Sequence, residues 1–123
     1  MPSWAGPAPH LEATLSYANN EYAVELTTYA SPSPPEAVLD FLVNAWVTSF
    51  AKTGHLRGQA PLKIGALPAR RVEMELFEGQ DVATILFVTD GTRVFVVRCF
   101  GAAGTERSAN VTHFINSFVL VQQ

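Results

Sequence analysis

The chain has 123 residues, enough for one hydrophobic core and too few for two. Apolar residues make up 48% and charged residues 15%, a balance that excludes a disordered chain. With 8 basic residues against 11 acidic, the net charge of −3 lacks the basic excess that phosphate-backbone binding requires, so nucleic acid is not the expected partner.

Residues 1–10 carry three prolines and read as an extended tail, and residues 11–123 read as a single domain. The tail lacks the basic start and apolar run of a secretory signal, and no segment approaches the ~20 apolar residues of a membrane span. Cys99 is the only cysteine, so no intrachain disulfide framework exists. A cytoplasmic location is favoured if Met1 is native, a periplasmic or secreted one if the chain is a mature fragment.

From Leu11 the pattern is period two. Leu11, Ala13, Leu15 and Tyr17 alternate with polar residues, Asn19 and Asn20 turn the chain, and Tyr22, Val24 and Leu26 complete a hairpin. Residues 31–36 break the sheet and start a helix, with Ser33 as its cap and Pro34 and Pro35 in its first turn. Its span is 34–52, and its apolar residues spread wider than one narrow face, which predicts deep burial.

Residues 56–64, interrupted by Gly58 and Pro61, read as a weak edge strand. Strands follow over 69–77, 81–89 and 92–100, joined by a turn at 78–80 and by the hairpin dipeptide Asp90-Gly91. A last helix is predicted after Gly104, because Val111, Phe114, Ile115 and Phe118 keep helical spacing. The resulting fold class is α+β: an antiparallel sheet of about six strands in the order β-β-α-β-β-β-β-α, with two helices packed on it as an α/β/α sandwich.

Strands 81–89 and 92–100 are apolar on both faces, which a sheet with one wet face would not be. The second face needs a cover: the last helix, a second copy of the chain, or a partner. Ile85, Phe87, Phe95 and Val97, with Trp4 of the tail, are the candidate partner surface. Arg98 falls in register with Val94, Val96 and Phe100 and requires a carboxylate or carbonyl partner.

No phosphate loop, dinucleotide fingerprint, nucleophile elbow or zinc signature is present, so no catalytic, cofactor or metal residue is assigned. His10, His55 and His113 lack a second ligand at metal spacing. Cys99 with His113 and Asn110 or Asn116 is a nominal Cys-His-Asn set, but Cys99 lies in an apolar strand that keeps a thiol protonated. Glu73, Glu75 and Arg71 share one strand face and read as a solvated, charge-balanced surface.

The segments Ile64-Gly-Ala-Leu-Pro-Ala-Arg-Arg-Val-Glu-Met-Glu, Asp90-Gly-Thr-Arg-Val-Phe-Val-Val and Phe114-Ile-Asn-Ser-Phe-Val-Leu resemble the PsbP-like and DcrB-like families of bacterial and photosynthetic accessory proteins. The resemblance implies an α-β-α layered domain without a shared catalytic site. It also implies roles as an assembly subunit, an import factor or a chaperone. The expected function is therefore that of a soluble, non-enzymatic protein-binding module, with another protein or a second copy, as in a homodimer, for partner. Carriage of a small apolar ligand by Trp46, Phe50, Phe87 and Phe95, or self-assembly as a structural component, are the alternatives.

Overall fold

The computed structural model describes residues 10–17, 20–29 and 32–104. Strands β1 (His10–Tyr17) and β2 (Asn20–Thr28) precede helix α1 (Pro35–Ser49), and β3 (Gly54–Ile64), β4 (Leu67–Leu76), β5 (Asp81–Thr89) and β6 (Arg93–Ala102) follow it. All six strands form one sheet in the order β1-β2-β6-β5-β4-β3, and every neighbouring pair is antiparallel. The strands occupy nearly the ranges that alternation predicts.

The fold class does not match the expectation. Among the described residues there is a single helix on a six-stranded antiparallel sheet, so the architecture is mainly β and not a two-helix sandwich. The stretch read as a last helix lies outside the described residues, as do Trp4 and the rest of the tail up to residue 9.

Hairpins carry the chain from β3 to β6, and β2 then pairs with β6. The link from β2 to β3 must cross four strand intervals, about 19 Å at the usual spacing. Helix α1 has 15 residues, about 22 Å of rise, which matches that span. It lies on one face of the sheet and buries Val38, Leu39, Leu42 and Val43 against Val72, Met74, Ile85, Phe87, Val94 and Val96. The buried stripe is narrower than predicted: Ala45 is exposed, and Phe41, Trp46, Val47 and Phe50 are half-buried.

The start of α1 also differs. Pro34 is the N-cap and Pro35 the first helical residue, with no side-chain cap. The Ser33 N–H instead donates to the Gly91 carbonyl at 2.9 Å, pinning the helix start to the β5–β6 loop. Only glycine fits at 91: its φ is +98°, and a Cβ there would lie 2.5 Å from the Ser33 carbonyl oxygen.

That loop is built by Asp90, whose Oδ1 accepts from the backbone N–H groups of Thr92 (3.0 Å) and Arg93 (2.8 Å). Burial raises the Asp90 pKa, but these donors and the Arg93 guanidinium outweigh it and hold the carboxyl below its ordinary value. The loop is thus favoured above the usual carboxylate range and weakened on acidification.

β5 and β6 sit in the middle of the sheet, and both of their faces are buried, as their composition requires. The face opposite α1 holds Tyr22, Ala69, Leu86, Val88, Phe95, Val97 and Cys99. β3 is an edge strand, as expected, with a register shift between Leu56 and Gly58 and Pro61 opposite Arg70. Both devices discourage edge-to-edge pairing. No helix among the described residues is long and apolar enough to cross a membrane.

Candidate functional site

The candidate partner residues do not form one surface. Phe87 pairs with Val96 and Ile85 with Arg98, on the α1 side, whereas Val88 pairs with Phe95 and Leu86 with Val97, on the other. The four residues therefore divide between two clusters, and Phe95, the most accessible, is only 8% exposed. The physical reason is loop parity. Thr89 pairs with Val94, leaving an even number of loop residues, so odd positions of β5 face the same side as even positions of β6.

The proposed ligand quartet separates for the same reason. Trp46 meets Phe50 with ring centroids 5.8 Å apart and meets Phe87 edge-on at 6.0 Å, while Phe95 lies across the sheet. These rings belong to the packing between α1 and the sheet.

Cys99 is buried on the face away from α1, and burial pushes its thiol up to about 12 despite an opposing pull from Arg71. Such a thiol stays protonated near neutral pH. Alkylation of Cys99 by iodoacetamide at pH 8 is therefore expected to be negligible in the folded protein and fast in urea; rapid labelling without denaturant would contradict this burial. His113, Asn110 and Asn116 lie outside the described residues. Among the described residues no group of three or more His, Cys, Asp or Glu is placed to hold a metal ion.

The charged face of β4 is arranged as its alternation predicts. Glu73 meets Arg71 at 3.8 Å and Arg57 at 4.0 Å, and Glu75 takes Arg57 at 4.0 Å and His55 at 3.1 Å. These partly exposed pairs balance one another.

Arg98 has the partners its apolar setting demands. On the α1 side of the sheet its guanidinium pairs with Glu25 of β2 and, at 3.3 Å, with Glu12 of β1. It lies 5.7 Å from the Trp46 ring centre and 5.9 Å from that of Phe100.

Beside this cluster, at the end of the sheet where α1 stops, lies a cavity of about 540 Å³. Its wall comprises Glu21, Phe50, Leu76, Phe77, Asp81 and Phe100, with Gly101 and Ala102 closing β6. Two local features open it. β6 changes there from bulky residues to Gly101 and Ala102, and Phe50 already terminates the helix, its ring 6.3 Å from that of Phe100. Glu21 pairs with Phe100 and Asp81 with Leu76 and Ala102, so the two carboxylates flank β6 on the α1 side.

The rim of this cavity is strained. Phe77, Glu78 and Gly79 all have positive φ, at 53°, 58° and 84°. Glycine tolerates this freely, but a phenylalanine in the left-handed region is costly. Hydrogen bonds hold it: the Phe77 N–H donates to the Thr53 carbonyl at 2.6 Å, and its carbonyl accepts from the Gln80 N–H at 3.2 Å. The ring gains little burial in return, with Phe77 52% exposed. Sequence reasoning misses this site because Phe77 continues the strand pattern of 69–77. The available signal is the placement of Phe77 immediately before the Glu78-Gly79-Gln80 turn.

No family model matches the chain, and no curated protein matches it in sequence. Among solved structures it is similar to PA94 from Pseudomonas aeruginosa, described as a protein of unknown function and a candidate regulator. The TM-score is 0.62 at 13% identity, covering 100% of this chain and 90% of that one, a likeness that establishes a shared fold.

Proposed function

We propose that the chain is a non-enzymatic protein-binding module, an accessory subunit, adaptor or chaperone-like domain, that holds a partner at the cavity at the sheet end. The observation that carries this reading is Phe77: a large aromatic kept half-exposed, in a backbone conformation that costs energy, on the rim of a cavity walled by two further aromatic rings. Strain of this kind persists where the surroundings over-determine it, and it concentrates at binding sites. An exposed aromatic beside a concave, partly apolar wall is the usual anchor of a protein contact. The resemblance to PsbP-like and DcrB-like accessory proteins favours the same class. Two carboxylates in the wall disfavour a purely apolar small ligand.

Affinity capture of tagged protein from source cells, run beside Phe77→Ser, tests the reading. Phe77→Ser removes a ring that is half-exposed and should leave the fold intact, while partner recovery falls at least about tenfold, the usual scale of a lost aromatic anchor. Recovery of the same partners in equal amounts by both proteins would refute it.

A further inference from the structure

We infer that the group seated in the sheet-end cavity is a cationic side chain of the partner, an arginine or lysine flanked by an apolar residue. This deepens the reading above and rests on it. The cavity offers two kinds of surface to one ligand. Phe50, Phe77 and Phe100 present aromatic carbon, and Glu21 and Asp81 present negative charge from either side of β6, two strand spacings apart and offset by two residues along the strand, roughly 12 Å between their backbones. A cation held in this cavity is attracted by both carboxylates and by the rings of its wall.

Among the described residues neither Glu21 nor Asp81 has an ion-pair partner. The adjacent cation, Arg98, is already engaged by Glu25 and Glu12. Phe100 packs against that guanidinium at 5.9 Å, so the same wall already carries one example of the arginine–ring contact inferred for the ligand. The apolar neighbour of the incoming cation is set by Phe77, whose exposed ring stands at the rim.

The test is an amide-resolved NMR titration of the full chain with two probes, N-acetyl-Phe-Arg-amide and N-acetyl-Phe-Gln-amide. The arginine probe should shift the amides of Phe77, Gly101 and Ala102 and bind about two- to fivefold more tightly than the glutamine probe, the scale of partly exposed charge pairs. Glu21→Gln with Asp81→Asn should remove that preference while leaving the glutamine probe unchanged. Should the double variant not fold, Glu21→Gln alone should still reduce the preference about twofold. Equal binding of both probes, or no shift at the cavity amides, would overturn the assignment. A partner lost from Phe77→Ser together with equal probe binding would remove the cation and leave the docking site. Unchanged capture with a selective arginine probe would do the reverse.

Discussion

Replacing Phe87 by alanine is expected to lower the unfolding free energy by about 3–5 kcal/mol, the range for deleting a fully buried phenylalanine. Phe87 has no exposed surface, sits among the buried residues of α1 and the sheet, and meets the Trp46 ring edge-on at 6.0 Å. Both neighbouring elements are regular and tightly paired, so the site cannot collapse onto the space left behind. Urea unfolding followed by tryptophan fluorescence measures the loss; a change under about 1 kcal/mol would show that the helix–sheet contact is not the core of the fold. The charged substitutions Phe87→Glu and Val97→Glu should both yield unfolded protein. Loss of binding in either would report the fold and not an interface.

The second large effect is expected at Arg98. Its side chain is 11% exposed and that of Glu25 is 17% exposed, so Arg98→Ala strands a nearly buried carboxylate. The expected cost is about 2–4 kcal/mol, somewhat below the range for a fully buried pair because Glu12 is more accessible. Removing both charges, Arg98→Met with Glu25→Gln, should recover more than half of that loss. A double variant as unstable as Arg98→Ala would mean that the guanidinium acts through its contact with Trp46 and Phe100 and not through the carboxylates. Arg98→Lys should not substitute, since one ammonium lacks the fork that reaches two carboxylates on neighbouring strands.

The strands are legible in the sequence because a period of two is a direct consequence of strand geometry: Val72, Met74 and Leu76 turn inward beneath α1 while Glu73 and Glu75 face outward. Gly58 and Pro61 mark β3 as an edge for equally local reasons. Arg98 is legible too, since a guanidinium on an apolar face must find a carboxylate.

What escapes sequence reading depends on contacts between distant segments. Grouping Ile85 and Phe87 with Phe95 and Val97 treats odd positions of two strands as one face, and only the pairing across the loop corrects it. A two-residue turn at Asp90-Gly91 has the same parity as the observed loop, so the dipeptide itself separates these four residues. The helix cap carries no such local signal: Ser33 has the residue type of an N-cap, but its backbone is taken up by Gly91 from another part of the chain. The cavity is hidden for a third reason. It forms where α1 ends above Gly101 and Ala102, and its rim is a phenylalanine in a conformation that residue preference argues against.

Docking of a partner at the strained end of the sheet is tested by placing the photo-crosslinker p-benzoylphenylalanine at Phe77 in source cells, with the same group at the exposed Leu62 as control. A discrete protein adduct from position 77 and not from position 62 is the result predicted here. No adduct from 77, or the same adducts from both positions, would contradict it.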